Sequence, residues 1–288
     1  MQRQLVQGVS IDVSYFRRVF GNFLVTDNVA VPSSAFDQFN VTAPADAALP
    51  GGGGNVLTGL SNVNPAFFSV ATSNIVQFAD TYGSQYEHWN GLDINGQARL
   101  SRGLLIQGGL STGRTSTDNC AIAAKVPETL IAGSTVTPLQ YCHVDTNFLT
   151  QIKALAAYTI PRIEVLVSGT LQSIPGPQIA ANFNASNASV QSSLGRPLSG
   201  GAVNVTANLI APGTLFGDRL NQLDLRFGKI LKAGRQRANV HLDLYNVLNS
   251  SAVQQLSNAY PGSATIPWMA PQVLVVGRFA KLGVQYDF

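Results

Sequence analysis

Residues 237–245 read RANVHLDLY, and apolar and polar side chains alternate along the whole stretch. One face carries Ala238, Val240, Leu242 and Leu244, and the other carries Arg237, Asn239, His241, Asp243 and Tyr245. Successive side chains of a β-strand point to opposite faces, so this alternation predicts a strand with one apolar and one wet face.

Seven further stretches show the same period of two. They cover residues 9–15, 92–100, 104–111, 151–156, 163–172, 222–227 and 281–288. Together with residues 237–245 they predict an all-β chain of about eight strands, in which neighbours along the sequence pair antiparallel.

The predicted connections alternate between tight and long. Tight connections fall near residues 101–102, 159–162 and 231–236, and long ones near residues 21–85, 113–147, 173–219 and 248–271. Antiparallel pairing then places every long connection at one end of the strands. Transmembrane barrels of the bacterial outer membrane have this asymmetry, with short periplasmic turns and long external loops. A sandwich of two sheets has turns every 8–12 residues instead.

Composition agrees with a membrane barrel. Charged residues make up 11% of the chain, with a formal net charge of +3, against about 25% charged residues in typical soluble domains. No dense basic run suggests nucleic-acid binding, and no apolar run of 18 residues suggests a spanning helix. No apolar signal-peptide core opens the chain. Aromatic residues near the strand ends predict two interface girdles: Tyr15, Phe16, Phe20, Trp89 and Tyr245 toward the long loops, and Tyr158, Phe227, Tyr286 and Phe288 toward the tight turns.

Candidate catalytic residues are few. Residues 109–113, GLSTG, match the nucleophile elbow around Ser111, but that motif needs a following helix, and a polar loop is expected there. His241 and Asp243 share a wet face and would orient a general base, although a polar ladder is the favoured interpretation. We therefore predict no enzyme and no cofactor.

The remaining motifs concern the long connections. His143 lies beside Cys142 and Asp145, but three ligands within four residues do not readily surround one metal ion. Residues 51–54 form a flexible glycine run without the Lys-Ser/Thr of a phosphate loop, and a short helix is expected from Pro65 with Asn64 as its cap. Cys120 and Cys142 are either two free thiols or a disulfide that closes one external loop. We predict the disulfide, which needs an oxidising compartment.

Three parts of the sequence carry a family resemblance. The last residues, RFAKLGVQYDF (278–288), resemble the C-terminal signal of outer-membrane barrels, which alternates and ends in an aromatic residue. Residues 219–253 resemble the closing strands of TonB-dependent receptors, with Asp243, Tyr245, Asn246 and Asn249 on the family pattern D-x-[YF]-N-x-[LF]-N. Residues 9–28, 89–120 and 172–183 look like the C-terminal half of Oar-like receptors, which carry a carboxypeptidase-regulatory-like domain at their N-terminus.

The resemblance implies an outer-membrane location, a TonB box, a globular plug and a barrel of about 22 strands. Residues 1–288 show eight strands and neither a plug nor a TonB box. We therefore expect a fragment, the C-terminal part of the barrel domain, which contributes wall and external ligand-facing loops. Its expected partners are outer-membrane lipid and the remaining strands and plug, with TonB reached only through the missing N-terminal segment. No nucleic acid is expected, and the transported ligand is not indicated.

Two rival hypotheses remain. The chain would be a complete eight-stranded barrel with a structural or adhesive role, since eight strands are enough to close, or an outer-membrane enzyme, for which no convincing site is seen. A closed eight-stranded barrel requires pairing between residues 9–16 and residues 277–288, whereas a fragment leaves both edges bare.

Overall fold

The computed structural model describes residues 2–100, 103–234 and 236–287. The protein is all-β, with its longer strands in antiparallel pairs. The strands are β1 (Gln2–Val6), β2 (Val9–Phe20), β3 (Leu24–Asn28), β4 (Phe36–Thr42), β5 (Val56–Val63), β6 (Asn74–Phe78), β7 (Tyr86–Leu100), β8 (Leu104–Asp118), β9 (Ile131–Ala132), β10 (Thr135–Val136), β11 (His143–Asp145), β12 (Leu149–Ile160), β13 (Val165–Ile174), β14 (Asn182–Ser186), β15 (Asn204–Asn208), β16 (Leu220–Ala233), β17 (Gln236–Tyr245), β18 (Val253–Leu256), β19 (Ala259–Tyr260), β20 (Pro271–Leu274) and β21 (Phe279–Asp287).

Helical segments are short and lie between these strands. The α-helices are α1 (Pro65–Phe68), α2 (Cys120–Lys125) and α3 (Asn187–Leu194), and the 3-10 turns are Ser33–Ala35, Pro50–Gly52, Ala79–Thr81, Pro127–Leu130, Leu139–Tyr141 and Ser199–Gly201. The helix expected from Pro65 is confirmed, because the Asn64 side chain accepts a hydrogen bond from the Ala66 amide at 3.1 Å. Within the described ranges, no helix is long and apolar enough to cross a membrane.

One large antiparallel sheet, the main sheet, has the strand order β1-β2-β7-β8-β12-β13-β16-β17-β21. β11 adds to it by pairing with the far end of β8. All eight strands expected from the alternation are present, most of them longer than the pattern indicated. β1 was not predicted, because Gln2–Val6 is too short to show a period and places Leu5 beside Val6.

The connections divide by length as the sequence predicts. Residues 21–85, 119–148, 175–219 and 246–278 form the long ones, all at one end of the main sheet, and residues 7–8 and 161–164 form tight ones at the other. The tight turn expected at residues 101–102 lies outside the described residues, as does Arg235 in the turn between β16 and β17.

The main sheet is open, and its described residues form no closed barrel. β1 pairs with Val9–Asp12, the part of β2 next to the tight turn at residues 7–8. In a closed eight-stranded barrel, β21 would have to pair with β2 at this edge. β21 pairs with β17 instead. The aromatic Phe288 of the expected C-terminal signal lies outside the described residues.

The long connections fold together into one body, the cap, formed by residues 21–85, 119–148, 175–219 and 246–278. It contains a five-stranded sheet of order β19-β14-β15-β10-β9 and three two-stranded ribbons, β3–β6, β4–β5 and β18–β20. A hydrophobic core includes Phe39 and Leu57 from the first connection, Val136 from the second, Val190 from the third and Tyr260 from the fourth. The sequence predicted these segments only as long loops. Their apolar residues complete this core when all four connections meet, and a second cluster joins Val25 and Ala79 to Ile122 and Val126.

Candidate functional site

One face of the main sheet, the apolar face, carries large apolar side chains that are exposed. Its exposed members include Tyr15, Val19, Ile106, Ile152, Leu171, Phe227, Leu231, Leu242, Leu282 and Val284. Leu282 is 72% exposed and Val284 is 65% exposed. A contiguous apolar surface of this kind is rare on proteins that are surrounded by water on all sides and marks a surface that contacts lipid or protein.

The opposite face is polar and holds a groove of about 630 Å³. Lys153 lies near its centre, and Asn95, Gln97 and Gln107 line it from β7 and β8. In the part of the chain that the structure describes, these four side chains have no hydrogen bond or ion pair within the protein. The Asn95 carboxamide lies over Gly109, where a Cβ atom would collide with it. The groove therefore offers amide groups and one ammonium to a polar occupant or to water.

A hydrogen-bonded row continues from the groove toward the cap. The Gln172 amide donates to Gln222 at 3.0 Å, and the Gln222 amide donates to the Asp224 carboxylate at 3.0 Å. The same carboxylate accepts the backbone amide of Asn246 at 2.7 Å, which ties the polar face to the start of the connection between β17 and β21.

Arg226 and Asp243 form the main ion pair on this face. The guanidinium donates two hydrogen bonds to the carboxylate, from Nη2 at 2.9 Å and from Nε at 2.5 Å, and Asp243 is only 3% exposed. His241 Nε2 lies 3.8 Å from the carboxylate, beyond hydrogen-bond range. The acid–base pair considered for His241 and Asp243 is therefore not formed, because Arg226 occupies the carboxylate. The imidazole lies so close to Gly283 that a Cβ atom there would collide with it.

Ser111 lies in the middle of β8, which continues as a strand to Asp118. Its hydroxyl donates to the Asp93 carboxylate at 2.6 Å. The strand–turn–helix geometry of a nucleophile elbow is not formed at this position, so the GLSTG stretch is a segment of strand.

The predicted pair Cys120 and Cys142 is joined by a disulfide, with a Cα–Cα distance of 4.8 Å. It connects the start of α2 to the residue before β11. Beside it, His143 Nδ1 lies 3.1 Å from Asp118 and its Nε2 lies 3.7 Å from Asp145. Among the described residues, no group of three or more His, Cys, Asp or Glu is arranged to hold a metal ion.

Two polar contacts fasten the cap and were not visible in the sequence, because they join distant connections. The Tyr260 hydroxyl donates to Asp46 at 2.6 Å. This hydrogen bond raises the pKa of Tyr260 to about 12 and lowers the pKa of Asp46 from its usual range. Arg196 forms an ion pair with Asp37 at 2.6 Å and also donates to Asn62 and Ser199.

The cap has its own groove, of about 570 Å³, on the side away from the tight turns. Ile179, Phe216, Leu256, Trp268 and Met269 contribute to its lining. The Trp268 indole donates to the Ala180 carbonyl at 2.8 Å, which fixes the ring in the groove wall. Three of the four long connections build this groove, and a second cap cavity of about 450 Å³ lies beside Tyr141 and Leu209.

Comparisons of the chain with protein-family models, with curated proteins and with solved structures find no match.

Proposed function

We propose that the main sheet is part of the wall of an outer-membrane β-barrel, with its apolar face on lipid, its polar face on the lumen and the cap outside the cell. The observation that carries this proposal is the reversed burial of the main sheet. Apolar side chains such as Leu282 are exposed, whereas Asp243 on the opposite face is buried and paired. A hydrocarbon solvent on the apolar face would make that arrangement favourable.

Strand length supports the same proposal. A strand that crosses a bilayer needs about 9–11 residues. The eight long strands of the main sheet have 9 to 15 residues each. All tight connections lie at one end and the folded cap lies at the other, which is the arrangement of periplasmic turns and external loops.

Strand direction supports membership in a larger barrel. β1 and β21, the two edges of the main sheet, both run from the cap toward the tight turns. Direct closure between them would therefore be parallel, whereas bacterial outer-membrane barrels are antiparallel with an even strand number. An odd number of further strands between β1 and β21 restores the antiparallel pattern and removes the exposed edges.

The receptor resemblance adds the transport role. In this proposal the wall belongs to a TonB-dependent, Oar-like receptor, the cap faces the ligand, and the plug and TonB-contacting segment act from outside residues 1–288. A closed eight-stranded barrel with a structural role is less well supported, because β1 covers the edge of β2 that closure would need.

The experiment is expression of this chain behind an added signal peptide in a bacterium that lacks the receptor. We expect the protein in the outer-membrane fraction, without saturable uptake that depends on TonB. Recovery in the periplasm with full stability would contradict the wall assignment. Coupled uptake by this chain alone would contradict the need for further strands and a plug.

A further inference from the structure

Basic residues collect at the tight-turn end of the main sheet. Along the sequence, residues 5–10, 98–105, 159–166, 229–238 and 285–288 belong to the predicted tight connections and the strand ends beside them, and they contain seven Lys or Arg against two acids. The rest of the chain then holds eleven bases against thirteen acids. The entire positive excess of the sequence therefore falls in these segments, although no single stretch shows it as a dense run.

Five of these bases are described with their side chains and define the basic rim: Arg99, Arg162, Lys229, Lys232 and Arg237. All five are exposed. One described carboxylate, Glu164, lies among them and pairs with Lys232 at 2.6 Å. The rim is assembled from β7, from the turn after β12, and from both strands of the β16–β17 hairpin.

The positive charges of the basic rim repel one another when no anion is bound. Lys232 and Arg237 are direct partners across the hairpin, and like charges in that position destabilise a strand pair. Lys232, followed by Lys229 and Arg237, lowers the pKa of Glu164. Three bases therefore surround one carboxylate, which neutralises only one positive charge. The remaining positive charge would attract an external anion.

Arg99, Lys232 and Arg237 extend the polar face to the turn end, whereas Lys229 lies on the apolar face. Lys229 stands between Phe227 and Leu231, both exposed. Its ammonium nevertheless hydrogen-bonds to the carbonyl of Ile163 in the neighbouring tight turn. The aliphatic stem therefore covers apolar surface while the charge reaches the turn end, as lysines do at a membrane interface.

We propose that the basic rim binds the phosphate groups of anionic phospholipids in the leaflet on the tight-turn side. The rim bases lie on both faces along the turn end of the sheet, which fits a layer of headgroups at the height of the turns better than one small anion. This inference rests on the proposed function, because the headgroups meet the rim only if the main sheet crosses a bilayer. A base near an anionic membrane contributes roughly fivefold in affinity, and salt screens it.

The test measures binding of dioctanoyl phosphatidylglycerol and dioctanoyl phosphatidylcholine to the purified chain in neutral micelles by native mass spectrometry. The rim variant is Lys229→Gln/Lys232→Gln/Arg237→Gln. The control variant, Arg17→Gln/Arg18→Gln/Arg278→Gln, removes the same charge from the cap end of the sheet. We expect the preference for phosphatidylglycerol to fall about tenfold or more in the rim variant and to stay within twofold in the control.

Equal loss in both variants, or an undiminished preference in the rim variant, would overturn the proposal. So would equal competition by glycerol phosphate, which would indicate a site for free phosphate. If the triple variant does not fold, Lys229→Gln alone must lower the preference about fivefold. Insertion into phosphatidylcholine vesicles is measured separately, from the change in gel mobility on heating. Insertion without lipid preference contradicts this inference alone, and failure to insert contradicts the proposed function as well.

Discussion

The cap and the main sheet use similar amino acids in opposite ways. In the cap, Leu57 and Leu60 are completely buried. In the main sheet, Leu282 and Val284 are exposed, whereas Asp243 and Arg226 pair on the other face. The cap is folded as the hydrophobic effect requires in water. In the proposed function, lipid covers the apolar face of the sheet and lowers its free energy in the same way.

The largest expected effect comes from the same substitution made in both regions. Leu60→Ala in the cap removes buried apolar volume and should cost about 2–5 kcal/mol of cap stability. Leu282→Ala on the main sheet leaves no such cavity and should cost much less. Both stability changes are measured by unfolding the purified protein in lipid with denaturant, with the protease resistance of the cap as the readout. Similar costs would remove the distinction between the two regions.

The next effect concerns the two faces of a single strand, β17. Leu242→Arg places a charge on the apolar face and should cost about 2–4 kcal/mol if it lies near the bilayer midplane. Asn239→Arg places the same charge on the polar face and should cost much less, since that face already holds Arg226. The unfolding free energy in vesicles is the measurement. Equal costs on the two faces would contradict the lipid assignment.

The disulfide tests whether the cap is a separate cooperative unit. Reduction, or Cys120→Ser/Cys142→Ser, removes a cross-link over 22 residues that is worth about 3 kcal/mol in the chain-entropy model. Because both cysteines lie in the cap, we expect increased proteolysis of the cap and unchanged protection of the main sheet. A thiol assay on the unreduced folded protein should find no reactive thiol; two titratable thiols would refute the pairing.

The smallest effect is the pH dependence of the Tyr260–Asp46 contact. The lowered pKa of Asp46 stabilises the cap above the carboxylate's unfolded pKa of about 4, and this contribution disappears as pH falls through the folded value. The pKa of Tyr260, raised to about 12, stabilises the cap below about pH 10, and this contribution disappears as pH rises through 12. Tyr260→Phe should remove the alkaline limit and weaken the acid limit, because the Ala48 amide still donates a hydrogen bond to Asp46. Amide hydrogen exchange of β19 across pH, compared with β17 as control, measures the change.

The sequence predicted the main sheet far better than the cap. Alternation is a local signal, so β2, β7, β8, β12, β13, β16, β17 and β21 were all identified from their own residues. The cap strands are short, and the five-stranded sheet also joins different connections: β14 pairs with β19, and β10 pairs with β15. A core that joins Phe39 to Tyr260 leaves no periodic trace in either segment.

On the polar face, too, the sequence predicted the local pattern but not the contacts between strands. A polar ladder was the favoured interpretation of this face, and the ion pair between Arg226 and Asp243 agrees with it. The register that aligns Arg226 with Asp243 depends on strand stagger, which alternation alone does not determine. Lys229, Lys232 and Arg237 lie close together in the sequence, but the sequence did not predict the whole rim, because Arg99 and Arg162 join them only in the folded sheet.

The most direct test of the lipid assignment compares two neighbouring positions on β17. In a background with Trp89→Phe and Trp268→Phe, single tryptophans are placed at Val240→Trp, on the apolar face, and at Asn239→Trp, on the polar face. Quenching by brominated acyl chains and by aqueous acrylamide is then measured in vesicles. We expect the brominated lipid to quench position 240 strongly and position 239 weakly, with the reverse order for acrylamide. Equal quenching at both positions, or the opposite order, would contradict the central claim that the apolar face of the main sheet lies in lipid.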